Sequence, residues 1–281
     1  DLLADVLQDA TLQPATLSFT GIAAGRITQN GTDPLDRSID FLDAGEKVTV
    51  TFEVIVDNDA VAGERLVNEA TVAGSSMDGD GNPDDRISAD KDAHTVTIAA
   101  PSVSKRIIAT SDPNTRGPAA EGSGPADRHD SGKPDLRIGE EVTYEIRVRL
   151  PEGDSPNFRL IDALEDASGS RNGYLSLVPG SIEVFSVGAN LTAIGGGAVP
   201  APSITASNAG QNGSNDIWTL NFGGIRNSSN GTTTDDEVIV VRLKAVVNDV
   251  AGNGDRDLLT NSGSAQTGTA GGTTSTSNTS S

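Results

Sequence analysis

The sequence predicts an all-β protein built from tandem β-sandwich domains. Three observations carry that expectation. In Glu141–Leu150, Val142, Tyr144, Ile146, Val148 and Leu150 alternate with Thr143, Glu145, Arg147 and Arg149. This strict period of two puts one face in a core and one in water. The same pattern recurs at Val48, Val50, Phe52, Val54 and Val56, and less strictly over Glu237–Val247. The composition agrees: 32 glycines, abundant Ser, Thr, Asn and Asp, and only 3% aromatics suit short strands joined by long loops.

The 281 residues are enough for two domains. The chain opens at Asp1 without methionine or signal peptide, so it reads as a piece of a longer protein or a processed product. No apolar run approaches a membrane span. Forty acidic against 20 basic residues give a net charge of −20. Nucleic acid or an anionic membrane would need a basic face, and no basic cluster is present. The absence of cysteine removes disulfides, thiolate metal sites and a cysteine nucleophile.

The strands belong to an internal repeat. Asp5 aligns with Asp162, and Pro14-Ala15-Thr16-Leu17 with Pro179-Gly180-Ser181-Ile182. The long strands 47–57 and 237–248 follow, and then Asn68 aligns with Asn261. A repeat this long is a domain. Pro101 marks the expected boundary, with 1–100 an incomplete sandwich lacking its first strands and 101–281 a complete one. The second copy carries an insertion near 188–235, in which Trp218, Leu220 and Phe222 alternate as a core strand, and a Gly/Ser/Thr-rich end.

Three polar residues of the second copy fall on apolar phases. Lys105 shares a face with Val103 and Ile107, Asp162 with Phe158, Leu160 and Leu164, and Asn261 with Leu259 and Ala265. Directed into one core, such groups are costly unless they pair.

With these residues the chain resembles the bacterial surface repeats known as isopeptide-forming fimbrial domains, tandem Ig-like sandwiches. The matching motifs are SVSK (102–105), RIGEEVTYEIRVRLPEG (137–153), LIDALED (160–166), LVPGSIEV (177–184) and LLTNSGSA (258–265). The resemblance implies a covalent bond between a first-strand lysine, here Lys105, and a last-strand asparagine, here Asn261, assisted by a buried acid, Asp162. Burial would leave the amine neutral and nucleophilic and the acid protonated. The same positions also suit a buried salt bridge without a cross-link. In the first copy Asp5 and Asn68 are the equivalents, but the lysine strand is missing.

Asp78, Asp80, Asn82 and Asp84 alternate with glycines in MDGDGNPDDR, as at the start of a calcium loop. Pro83 sits where that loop wants glycine, and its final glutamate is absent; Asp90 or Asp92 could supply a distant carboxylate. The loop Ser111–Lys133 contains His129 beside Asp130 and Ser131, too close in sequence to imply a triad. Six N-x-[ST] sequons, at Asn30, Asn190, Asn212, Asn227, Asn230 and Asn278, suit surface loops.

The resulting expectation is a non-enzymatic segment of an extracellular adhesin, fimbrial or surface-layer-like stalk at the bacterial cell surface. Its partners would be further repeats of the same protein. Alternatives are a module gripping a glycan or host protein, a hydrolase accessory domain, and a filament subunit exchanging strands with neighbouring subunits.

Overall fold

The computed structural model describes residues 10–57, 59–76, 86–113, 115, 136–164, 173–207, 217–251, 253, 259–268 and 274–276. The chain is all-β and divides into two compact units, residues 1–60 with 64–98, and residues 61–63 with 99–281.

The first unit contains β1 (Ala10–Thr20), β2 (Ile27–Gln29), β3 (Arg37–Ile39), β4 (Thr49–Val56), β5 (Arg65–Ser75) and β6 (Ile87–Thr97). They form three antiparallel two-stranded ladders, β1–β4, β2–β3 and β5–β6. Its core is small: Ala10, Leu12 and Leu35 are buried, with Leu17, Phe52 and Val54 against them. A loop clamp adds to this, as Arg26 bonds Glu46 at 2.7 Å and lies 4.3 Å over the Phe41 ring.

The second unit contains β7 (Ser102–Thr110), β8 (Glu141–Arg149), β9 (Gly153–Leu164), β10 (Leu175–Leu177), β11 (Glu183–Val187), β12 (Leu191–Ala193), β13 (Ser203–Ser207), β14 (Ile217–Asn227), β15 (Val238–Val247), β16 (Asn261–Gln266) and β17 (Thr274–Thr276). One sheet runs β10-β15-β8-β7, with β11 also on β15. The other runs β12-β14-β9-β16-β17, with β13 also on β14. All of these pairings are antiparallel.

The period-two pattern explains the core. Val142, Tyr144, Ile146 and Val148 of β8 and Ile239, Val241, Leu243, Ala245 and Val247 of β15 turn inward from the first sheet. They meet Phe158, Leu160 and Leu164 of β9, Leu220, Phe222 and Ile225 of β14, and Ala265 of β16. Phe158 and Phe222 pack with ring centroids 5.6 Å apart. Full burial of each such side chain contributes about 1.5–3 kcal/mol. Pro151 follows β8, and Gly153, at φ 107, opens β9, so the chain passes from one sheet to the other at a corner an L side chain would strain.

Each long strand carries the same flanking device. Leu12 opposite Val54 corresponds to Leu177 opposite Ala245, and Ser18 opposite Thr51 to Glu183 opposite Arg242. Between these pairs the register breaks, and a hydroxyl bridges the gap. Thr16 Oγ1 accepts from the Glu53 amide at 2.8 Å, and Ser181 Oγ from the Lys244 amide at 3.1 Å. Just beyond the break, glycine is required by close approach: a Cβ on Gly21 would lie 1.8 Å from the Lys47 carbonyl oxygen, and one on Gly188 2.1 Å from that of Asp236.

Ser181→Ala removes the bridge and leaves the Lys244 amide without it. We expect a loss of about 1 kcal/mol on denaturant unfolding and faster hydrogen exchange at Lys244. Gly188→Ala, which must displace backbone, should cost more than Ser181→Ala in the same measurement.

Candidate functional site

The site lies between the two sheets. Lys105 enters from β7, opposite Ile146 in the register; Asp162 enters from β9; Asn261 is the first residue of β16. The Lys105 and Asp162 side chains have no solvent exposure, and Asn261 is fully buried. The Lys105 ammonium donates to Asp162 Oδ1 and lies 5.0 Å from the centre of the Tyr144 ring. Asp162 is flanked in its own sheet by Trp218 of β14 and Gly263 of β16.

Burial dominates the electrostatics. It pushes the Lys105 ammonium down to about 8, against the opposing pull of Asp162. It also raises the Asp162 carboxyl, against the pull of Lys105 and of the Asn261 carboxamide. Asn261 is close enough to act on the carboxyl but completes no hydrogen bond of good geometry. Its Nδ2 and Oδ1, Asp162 Oδ2 and Trp218 Nε1 are all buried without a hydrogen-bond partner. Unpaired groups of this kind cost about 1–3 kcal/mol each. The site thus combines an amine easily made neutral, an acid easily protonated and an amide with no competing partner. Chemically, such an arrangement can supply a nucleophile, a proton donor and an electrophile.

The structure brings Lys105, Asp162 and the strand-initial Asn261 to one core. Asn68 lies on β5 opposite His94, with its Oδ1 buried and unpartnered. Asp5 falls outside the described residues, as do Asp78, Asp80, Asn82 and Asp84 of the calcium-like loop and His129, Asp130 and Ser131. Among the described residues no cluster of three or more potential metal ligands occurs. Asp90 and Asp92 are exposed on β6.

One sequon expectation is corrected. Asn227 is not in a surface loop; it is 1% exposed within β14. Its amide donates to the Leu150 carbonyl at 2.9 Å and its oxygen accepts from Asn190 at 2.8 Å, so two sequon asparagines tie the corner after β8 to the start of β12.

Sequence reasoning missed two further clusters. On the outer face Glu145 is 3% exposed between its lateral neighbours Arg106 and Arg242, which bond its two oxygens at 2.9 and 2.8 Å. Burial would raise this carboxyl, but Arg242 and Arg106 outweigh it and hold it below the usual range. Arg242 also lies 3.4 Å over the Phe185 ring. At the corner, Glu152 accepts from the amides of Asn230 and Gly231 at 2.6 and 2.7 Å and from Ser229 Oγ at 3.1 Å. No spacing signal announces either cluster, because the partners are joined by register and loop closure.

No family model and no curated protein matches the chain. Among solved structures it is similar to BcpA, the major pilin subunit of Bacillus cereus, at 12% identity and TM-score 0.35, covering 91% of this chain and 52% of that one. A variant of the same pilin gives 10% identity and TM-score 0.34, covering 82% and 48%. The RrgB pilus protein of Streptococcus pneumoniae gives 11% identity and TM-score 0.25, covering 91% and 40%. The chain therefore spans about half or less of each neighbour. Scores this low leave the reading of this chain to its own residues.

The Glu152 clamp generates a pH prediction. The Asn230 amide bond above all, helped by those of Gly231 and Ser229, holds this carboxyl below its ordinary value, outweighing the opposing effect of burial. A depressed carboxylate stabilises above its unfolded pKa, and that contribution is lost as pH falls through the folded value. Hydrogen exchange at Asn230 and Gly231, corrected for intrinsic rates, should accelerate on acidification, and Glu152→Gln should remove most of that dependence.

Proposed function

We propose that the chain is a structural, non-enzymatic segment of an extracellular bacterial surface fibre, fastened internally by an amide bond between Lys105 and Asn261. The observation that carries this reading is the fully buried Lys105–Asp162 pair beside an Asn261 carboxamide that has no other partner. In the reaction, neutral Lys105 Nζ attacks Asn261 Cγ, and Asp162 lends its proton to the carboxamide oxygen as charge develops there. The tetrahedral intermediate collapses with cleavage of the Cγ–Nδ2 bond. Nδ2 leaves as ammonia, taking the proton that Nζ gives up, and Asp162 recovers its own. One C–N bond forms and one breaks.

The benefit is mechanical. The bond would join β7 in one sheet to β16 in the other and close a loop running from residue 105 to residue 261. A disulfide closing a loop of that size stabilises by about 5 kcal/mol in chain-entropy models. Force entering at β7 and leaving at β16 would pass through a covalent bridge instead of unzipping a ladder one hydrogen bond at a time.

Intact mass decides the proposal. The folded chain should be lighter than its sequence by one ammonia, and Lys105→Ala and Asn261→Ala should each restore the calculated mass of their own sequence. The full calculated mass in the unmodified chain would leave a buried polar cluster and overturn the covalent reading. The pH dependence has a defined sign. For chain refolded from denaturant before it has reacted, ammonia loss should speed up as pH rises from 6 towards 8, because more Lys105 becomes neutral.

A further inference from the structure

Lys105 and Tyr144 sit on adjacent strands of one sheet. In the register Lys105 stands opposite Ile146 and Tyr144 opposite Ile107, so Tyr144 is the diagonal neighbour of Lys105 on the inward face. Diagonal neighbours lie within reach of aromatic and long side chains. Here the Lys105 ammonium lies over the Tyr144 ring, 5.0 Å from its centre. The ring is held in place. Strand β8 is paired along both edges, with Ile107 on one side of Tyr144 and Leu243 on the other, and the side chain belongs to the core between the sheets.

A ring face is negative and attracts a cation; it has no such attraction for a neutral amine. The contact gains strength where water is excluded, and the Lys105 side chain has no solvent exposure. The ring therefore favours the charged lysine, in the same sense as Asp162 and against burial. The groups around Lys105 are few. Strand β9 presents Asp162 and β8 the ring and phenol of Tyr144, while Asn261 of β16 is uncharged. On β7 itself Val103 and Ile107 share the inward face, and Arg106 bonds Glu145 on the outer one. Among the described residues Asp162 is the charged group acting on Lys105. The nucleophile of the cross-link is the neutral amine. A contact made by the ammonium and lost by the amine stabilises the starting state and not the transition state, so it raises the barrier.

We infer that Tyr144 is a positioning residue that restrains the cross-linking reaction: its ring face holds Lys105 in the charged form that cannot attack Asn261. This rests on the Lys105–Asn261 bond proposed above. Together with Asp162, the ring sets how far pH must rise before the amine reacts.

The test uses the full chain in two forms. In the first, Asn261→Ala prevents cross-linking, and the titration of Lys105 is followed by NMR on lysine labelled at Cε, its signal identified by loss in Lys105→Ala. Tyr144→Leu should lower the titration midpoint by about one pH unit or more, and Tyr144→Phe, which keeps the ring, should leave it in place. Pentafluorophenylalanine at position 144, of similar shape but with a positive ring face, should lower the midpoint as Leu does, and it decides the matter if the Leu variant does not fold. In the second form Asn261 is kept and the chain is refolded from denaturant. Tyr144→Leu should speed ammonia loss about tenfold at pH 6, with the gain vanishing where Lys105 is neutral in both chains. An unchanged midpoint in the Leu and pentafluorophenylalanine variants, with ammonia still lost from the unmodified chain, would overturn the inference and leave the bond standing. So would a Phe variant that behaves as Leu, which would assign the effect to the phenol, or slower ammonia loss from the Leu variant at every pH, which would make Tyr144 a packing residue. No ammonia loss from the unmodified chain would overturn the bond and, with it, any role of Tyr144 in forming it.

Discussion

A charged lysine and a charged aspartate cannot be placed between two apolar sheets without consequence, and the second unit is arranged around that constraint. Each ion alone would cost several kcal/mol of desolvation, and removing one partner would leave the other stranded. The pair is therefore tolerable only where β7 and β9 hold it together, across the gap between the sheets. That fixes how far the first strand can slide against the second sheet, because a register slip on either strand would carry its polar residue to the opposite face. Tyr144 lines the same space and presents its ring to the ammonium, so part of the lost hydration is replaced by a π face.

The second constraint is that a strand has two edges. In β15 both are filled, and the outer face shows how lateral neighbours use this: Arg106, Glu145 and Arg242 come from three adjacent strands and meet in one row. Neither arginine could reach Glu145 if β8 did not lie between β7 and β15. In the first unit the counterpart of Arg242 is Thr51, so no such row can form on β4, and Ile55 and Val56 remain in water. Phe52 and Val54 have the same alternation as Leu243 and Ala245, but among the described residues β4 is paired with β1 alone and the core they reach is smaller.

Alternation along a strand is readable in sequence, and so is any residue that violates it. Val142 to Leu150 announce their face, and Lys105, Asp162 and Asn261 are conspicuous because each interrupts an apolar phase. Glu145 does not interrupt anything: it sits on the outward phase, where an acid is ordinary, and the two arginines that bond it lie far away in the chain. Asn227 is hidden for a related reason. It is the last residue of β14, and its role is set by the Leu150 carbonyl and by Asn190, neither of which a sequon can indicate. Period gives the face of a residue, whereas lateral neighbours come from strand order, which the repeat constrained only for the long strands and those beside them.

The two readings of the buried cluster differ in what becomes of its unpaired atoms. If Lys105 and Asp162 form only a salt bridge, Asn261 keeps a buried carboxamide with neither donor nor acceptor satisfied, at a standing cost of about 1–3 kcal/mol for each group. If the amide bond forms, Nδ2 departs and takes one orphan with it. Lys105 and Asp162 lose their charges, and the protonated acid gains an acceptor in the new carbonyl. The covalent product thus relieves at once the buried charge pair and the unpaired carboxamide. On the proposed reading, the buried cluster is the reactant of the cross-link and not its end state.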